Sequence, residues 1–376
     1  MTPLRGAVWL AAVTLSARAL TGCPGPAPDG EDLLRVVAEG VPGGALLSVW
    51  GNAGDGALYL AGGYVGVDPA RVPGRAGRLV RYRGGAFTTL CRTDAALWWV
   101  HGVAGALWAV GDAGAVLRYR DGACERMSTG LTFSEGAPTF WGVYARAPDD
   151  VWIVGGSPRP TGPTGVLVHY DGAGFQRVTA LPQEALGVNL YKVEATDAGL
   201  VVVGAGGVVL ESRGGGWTRV ASGARTFDNR LFTVSCNPLE RGLCLAVGGA
   251  GSGVLLARDP QEGWRDLAGL VEDVPGLNGV YFTPRDGAYV VGGDGFTMHT
   301  DGFRRYVAPA RTAAALHGVG GLGSLVMAVG GELSTADETQ RAVVLLRGEG
   351  RASYTFDGVA YAARGTLRAS LGGAGQ

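Results

Sequence analysis

Residues 151–175 read VWIVGGSPRPTGPTGVLVHYDGAGF. A short apolar run ends in Gly155, a turn follows, and a second apolar run ends at Asp171-Gly172 before the aromatic Phe175. Weaker copies of this pattern run from end to end of the 376-residue chain. The glycines that close the first run are Gly62 (LYLAG), Gly111 (LWAVG), Gly155 (VWIVG), Gly204 (LVVVG), Gly248 (LCLAVG), Gly292 (AYVVG) and Gly330 (LVMAVG), spaced 49, 44, 49, 44, 44 and 38 residues apart. A repeat of a little over forty residues is the length of a four-stranded propeller blade, and there are seven of them.

Each unit divides into four strands, A to D. Strand A pairs a bulky residue with a small one, as in Phe140-Trp141-Gly142-Val143 and Leu316-His317-Gly318-Val319. Val100-His101-Gly102-Val103 is read as its copy in the second unit. Strand B is the continuously apolar run, which predicts burial on both faces. Strand C is the GVLVHY-type run, and strand D opens on Phe87, Phe175, Trp217, Trp264 or Phe303, with Cys124 in that place in the second unit. Asp-Gly turns such as Asp171-Gly172 join C to D as hairpins. Such a sheet has two apolar faces, so seven must pack in a ring to bury them. The fold class is therefore all-β, a seven-bladed β-propeller of four-stranded antiparallel blades spanning 32–350. The seventh unit lacks a strand D of its own. Leu33-Leu34-Arg35-Val36 matches the D strands in pattern and in spacing to the next strand A, which favours an N-terminal outer strand closing the ring. Tyr354–Phe356 is the rival, and 351–376 is otherwise a segment of uncertain structure.

The units resemble secreted bacterial repeats of the form GVWG…DVWAVG…GTILHYDG…W. The matching residues are Gly142-Val143-Tyr144, Asp150-Val151-Trp152-Ile153-Val154-Gly155 and Leu167-Val168-His169-Tyr170-Asp171-Gly172. Such repeats occur in propellers related to the sialidase-type and photosystem-assembly-factor-like groups, so the resemblance implies the fold and leaves the activity open.

The N-terminus has a basic start at Arg5 and an apolar core from Ala7 to Leu15, the features of an export signal over 1–22. Leu20-Thr21-Gly22-Cys23 resembles the bacterial lipobox, which implies a lipid on Cys23, a tether over 23–31 and a cell-envelope location. Without residues 1–22 the chain loses Arg5 and Arg18 and carries 30 basic against 33 acidic residues, a net charge of −3 that gives no footprint for nucleic acid. Charged residues make up only 17% and glycines number 67, as many tight turns between buried strands require. The single lysine, Lys192, stands among 31 arginines without a structural reason legible in the sequence.

In an oxidising compartment Cys91, Cys124, Cys236 and Cys244 are disulfide candidates. Alignment places Cys236 and Cys244 opposite each other across the A–B hairpin of the fifth unit, which predicts that pair. Cys91 ends one outer strand and Cys124 begins the next, so they are expected toward opposite faces, beyond disulfide reach.

Catalytic chemistry finds no foothold. His169 and His299 share one repeat position and His101 and His317 are read as sharing another, which assigns all four to the framework. Asp112 and Asp294 sit singly in B–C turns, too few oxygens for calcium. VGGAGSG (247–253) lacks the lysine and helix of a phosphate loop. No metal, cofactor or catalytic residue is expected.

Loop length is the remaining signal. The B–C and D–A loops share one face of the ring, and the long ones (Tyr64–Ala76, Ser157–Thr164, Glu332–Arg341, Ser128–Thr139, Ser222–Arg230) all fall there. Insertions gathered on one face of a repeat ring often mark a binding face. Its candidate residues are Tyr64, Arg71, Arg75, Phe133, Glu135, Arg159 and Arg225. These features predict a monomeric, non-enzymatic envelope lipoprotein that binds a protein or glycan. A propeller-type glycan hydrolase or lyase is one alternative; an assembly factor for a membrane complex, implied by the photosystem-related resemblance, is another.

Overall fold

The computed structural model describes residues 34–103, 105–134, 136–157, 165–223, 230–284, 286–301, 304–333 and 337–364. The expected signal, the tether and Cys23 lie outside them. The chain forms seven sheets, each with four antiparallel strands in the order A-B-C-D from the channel outward. Blade 3 is representative, with strands Thr139–Ala147, Asp150–Gly156, Val166–Tyr170 and Phe175–Arg177. Among the described residues the only α-helix is the single turn Gln183–Leu186, and no helix is long and apolar enough to cross a membrane.

The repeated glycine that closes strand B has a steric cause. A Cβ at Gly155 would run into the Thr139 carbonyl, and one at Gly330 into that of Ala315. The loop entering strand A crosses the end of strand B backbone against backbone, and a side chain there would push them apart. Between glycines the B residues are shut in by strands A and C within the sheet and by a blade on each face. Val151, Ile153 and Val154 are fully buried, and the layer between blades 2 and 3 joins Trp108, Val110, Phe140, Val143 and Ile153. Burial of each such side chain contributes about 1.5–3 kcal/mol.

Strand A of every blade carries a register break two residues in, for example between Phe140 and Gly142 or Leu190 and Lys192. The residue after the break is small in most blades because innermost strands meet there. A Cβ at Gly142 would lie 2.6 Å from the Tyr191 carbonyl and 3.0 Å from Lys192 Cα.

The outermost strand of the seventh sheet is Arg35–Pro42, antiparallel to Arg341–Arg347, with Arg35 opposite Leu346. Strand A of that blade packs on strand A of blade 1, where Gly318 abuts the Leu47 carbonyl and Ser48 Cα. The segment containing Tyr354–Phe356 belongs to blade 1 instead. Ser353–Phe356 pairs in parallel with the outer strand Ala86–Thr93, and Val359–Ala362 pairs with it in turn, giving a six-stranded sheet. Phe356 stacks on Phe87 with ring centroids 5.2 Å apart, and the Asp357 carboxylate accepts from the Thr89 amide and hydroxyl at 2.7 Å each. The folded unit thus runs past the boundary expected at residue 350.

Two expectations need correction. Cys91 and Cys124 are disulfide-bonded, with Cα atoms 6.1 Å apart. Counting residues along the strands assumed that outer strands run parallel to the ring axis. Sheets twist by roughly 20–25° per strand, so three steps outward the chain runs largely around the ring. The end of the outer strand of blade 1 is thereby carried toward the start of that of blade 2, and the Cys124 sulfur sits 3.5 Å from the Leu90 carbonyl. The second pair, Cys236–Cys244, bridges directly opposed residues of one hairpin with Cα atoms 4.0 Å apart.

Strand A of blade 2 also departs from its expected register. Leu97, not Val100, pairs with the closing Gly111, and the break falls between Leu97 and Trp99. Trp99 therefore occupies the position of Gly142, and His101 that of Tyr144, two residues further along. His317 sits instead within the break of its own strand, between Leu316 and Gly318. The two histidines do not share a position.

Candidate functional site

Seven strand-A segments surround the channel, and two side-chain positions of each face it. The first is the residue after the register break: Ser48, Trp99, Gly142, Lys192, Thr233, Gly279 and Gly318. Five are small, as close strand packing demands. Trp99 and Lys192 depart from the rule. They belong to blades 2 and 4, and Gly142 of the blade between them leaves the gap they fill. Lys192 Nζ lies 3.0 Å from the centre of the Trp99 ring.

Two residues on stand Trp50, His101, Tyr144, Glu194, Ser235, Tyr281 and Gly320. The His101 ring lies between Trp50 and Tyr144, with centroids 5.6 and 4.4 Å away. Its Nδ1 accepts from the Ala145 amide at 3.1 Å, which places the remaining proton on Nε2. Burial, with Lys192 adding to it, lowers the His101 pKa to about 3, so the imidazole is neutral at physiological pH. Lys192 is buried, with 3% of its surface exposed. Burial lowers its pKa, and Glu194 only partly opposes this. The same burial raises the Glu194 pKa against the pull of Lys192, a hydrogen bond from the Ala195 amide at 3.2 Å and Arg241.

These residues line a cavity of about 330 Å³ to which all seven blades contribute. It opens on the A–B loop face, rimmed by Pro238 and Arg241 of blade 5 and Pro284 of blade 6. An adjoining lobe beside His101 and Tyr144 reaches Asp197 and Arg146. Both acquire partners at its edge, Asp197 with Arg258 at 3.1 Å and Arg146 with Asp150 at 3.5 Å. Arg241 has no carboxylate partner among the described residues. The mouth thus combines aromatic walls, a polar amine and acid at depth and a cationic rim. It lies opposite the loop-rich face.

The loop-rich face itself is knitted together. Tyr64 is buried with Val67, Val72 and Ala76 in a small core inside its own loop. Arg71 ends the short turn Pro69–Arg71 and is exposed. Arg75 pairs with Glu338 at 3.2 Å, and Gln340 exchanges hydrogen bonds with the Val65 backbone at 3.0 and 2.8 Å, fastening blade 1 to blade 7. Tyr64 and Arg75 line a second cavity of about 260 Å³ with Arg78, Arg92 and Asp357. Phe133 stands apart at the junction of blades 2 and 3, 5.8 Å beneath the Arg177 guanidinium. Glu135, Arg159 and Arg225 lie outside the described residues.

The cluster in the opening stretch is framework. Trp152 Nε1 donates to Asp150 at 2.7 Å, His169 Nε2 lies 2.9 Å from the same oxygen, and the Trp152 and His169 rings stack at 4.2 Å. His299 contacts the Asp286 carbonyl, and His317 lies 2.8 Å from that of Gly331. Asp112 accepts from the Trp98 indole at 2.8 Å. No group of three potential metal ligands occurs among the described residues.

No family model matches the chain, and no curated protein matches its sequence. Among solved structures it is similar to YCF48 from Cyanidioschyzon merolae, at 15% identity and a TM-score of 0.58 over 84% of this chain and 98% of that one. It is also similar to YCF48 bound to a D1 peptide, at 16% identity and a TM-score of 0.48 over 63% and 75% of the two chains. At these identities the shared property is the propeller fold.

Sequence reasoning missed the channel mouth. The signal was present as the one lysine of the chain at a strand-A position where small residues recur, but the misaligned second unit concealed its partner Trp99.

Proposed function

We propose that the chain is a non-enzymatic binding module of the bacterial cell envelope, tethered through Cys23, whose ligand-recognising surface is the channel mouth on the A–B loop face. The observation that carries this reading is the Lys192–Trp99 pair. A lysine buried at a position that packing fills with Gly, Ser or Thr elsewhere costs desolvation energy, several kcal/mol if it stays charged, and the cost is reduced only by giving up its proton. Perturbed titratable groups in an open cavity with few polar groups on aromatic walls are the usual marks of a recognition site. A binding role is favoured over hydrolysis because, among the described residues, the cavity is lined by one carboxylate, Glu194, and Asp197 of the adjoining lobe is tied to Arg258, where glycoside hydrolysis needs a facing pair. A segment of a partner protein is the favoured ligand, since Arg241 and the aromatic walls suit a chain end or side chain entering from the rim.

Arg241→Glu inverts the rim charge on an exposed loop, and Arg75→Glu does the same on the opposite face. Capture of a defined envelope partner by wild type, abolished by Arg241→Glu and kept by Arg75→Glu, is the expected result. Loss with Arg75→Glu alone would move the site to the loop-rich face. Binding to a glycan array with no protein captured would overturn the protein-ligand reading.

A further inference from the structure

The amine of Lys192 is placed as a nucleophile. It lines the open cavity and rests on the Trp99 face, with no hydrogen bond and no ion pair among the described residues. An amine held as a charge is ordinarily surrounded by acceptors; this one rests on an indole face within mainly aromatic walls, and Glu194 makes no hydrogen bond or ion pair with it. On the same wall Glu194 offers a carboxyl group, and His101 turns its Nε2–H away from the bond made by Nδ1. At the rim stands the cationic Arg241.

The geometry points to Lys192 as a covalent capture site for a small carbonyl compound bearing a carboxylate, a 2-oxo acid, held as an imine in the channel mouth. The Nζ lone pair attacks the carbonyl carbon, and the C=O π pair moves to oxygen, which takes the proton that the new ammonium nitrogen gives up. The resulting carbinolamine loses its hydroxyl as water when Glu194, as the carboxylic acid, protonates it. The nitrogen lone pair then forms the C=N bond, and the iminium N–H proton returns to the Glu194 carboxylate, which restores the acid. One amine and one carbonyl yield one imine and one water, with no oxidant or reductant consumed. The ligand's carboxylate is paired by Arg241. Burial serves this chemistry twice, since it favours the neutral amine and the protonated acid together. Other titratable groups around the amine are His101 of blade 2, Tyr144 of blade 3, Tyr281 of blade 6 and Arg241 of blade 5, and among them only the guanidinium is charged at neutral pH.

The inference rests on the channel mouth being open to ligands, but its test needs no natural partner. Purified full-length protein is incubated with glyoxylate and cyanoborohydride at pH 7.5, and the product is mapped by peptide mass spectrometry. Because Lys192 is the one lysine, adducts divide cleanly between it and the chain N-terminus. The expected result is one carboxymethyl group on Lys192, formed roughly tenfold faster than on a model lysine peptide, as each unit of lowered pKa enlarges the neutral fraction tenfold. Glu194→Gln should slow the adduct without abolishing it, and Arg241→Glu should weaken its dependence on the ligand's carboxylate, seen as convergence of the glyoxylate and acetaldehyde rates. Labelling of Lys192 only after unfolding, or at the model rate, overturns the inference. Partner capture that depends on Arg241 while Lys192 stays inert would leave the binding reading standing and sink this one alone.

Discussion

Lys192 Nζ lies 3.0 Å from the centre of the Trp99 ring, reached across the blade whose strand A carries Gly142. Three blades cooperate in this one contact: an indole, a gap and an amine at equivalent positions of successive innermost strands. A cation over an indole is stabilised by the ring quadrupole, but the surrounding burial works against charge. Lys192 and Glu194 form a desolvated pair whose retention costs stability.

Replacing both members with neutral residues of similar shape should therefore be harmless or better. The Lys192→Met, Glu194→Gln double variant is expected to match wild type or exceed it by about 1 kcal/mol, at the low end for buried pairs because the cavity is open. Met keeps a sulfur–aromatic contact with Trp99. Lys192→Met alone should be less stable than the double variant, since it leaves the half-buried Glu194 carboxyl without the neighbouring amine. Urea denaturation of the three proteins at pH 7 checks the order, and a double variant less stable than the single would refute it.

Acid stability isolates His101. Its folded pKa of about 3 lies below the ordinary value of 6.5, so the unfolded chain binds the proton first. Stability from this group is intact above pH 6.5 and declines as pH falls toward 3. Wild type should lose about 2 kcal/mol more than His101→Gln on going from pH 7 to pH 4.5. Denaturation midpoints at the two pH values give the difference. Equal losses would mean that His101 protonates freely in the folded protein.

The two disulfides should differ in weight. Cys91–Cys124 closes a loop with a sequence separation of 33, Cys236–Cys244 one of 8. The chain-entropy model gives about 3.7 kcal/mol for the first and about 2.5 kcal/mol for the second. Paired Cys→Ser variants, unfolded in denaturant, should show the larger loss for the 91–124 pair. Alkylation of the unreduced protein should find none of these four thiols free.

The period made the ring legible because it records a steric rule, the closing glycine of strand B under the incoming loop. Spacing was a poorer guide where two matches competed. Val100-His101-Gly102-Val103 has the bulky-small-Val look of strand A, yet the pairing of Leu97 with Gly111 sets the register. Cys91–Cys124 was illegible for a different reason. Proximity between outer strands depends on accumulated twist, which no residue count contains. The channel mouth needed side chains from all seven blades to be seen together, and only Lys192 stood out in one dimension.

A last test concerns how blades 4 and 5 are held in place beneath the mouth. Arg258 Nε and Trp264 Nε1 both donate to the same Glu211 oxygen, at 2.9 and 3.0 Å, and Arg258 Nη1 reaches Asp197 at 3.1 Å and the Gly242 carbonyl at 2.7 Å. Burial alone would raise the Glu211 pKa, but the bonds from Arg258, Trp264 and Arg213 hold it below the ordinary carboxylate value. Glu211 and Arg258 are 5% and 4% exposed, so removing Glu211 leaves the buried Arg258 guanidinium with the half-exposed Asp197 as its remaining carboxylate. Glu211→Ala is expected to cost about 3–5 kcal/mol. Because Gly242 and Asp197 belong to the A–B loops that carry Arg241 and border the adjoining lobe, the variant should also loosen the rim. Hydrogen exchange of 196–199 and 237–243 in Glu211→Ala should accelerate relative to the equivalent loop of blade 7. Unchanged exchange there, with global stability reduced, would confine the network to a packing role and separate it from the shape of the mouth.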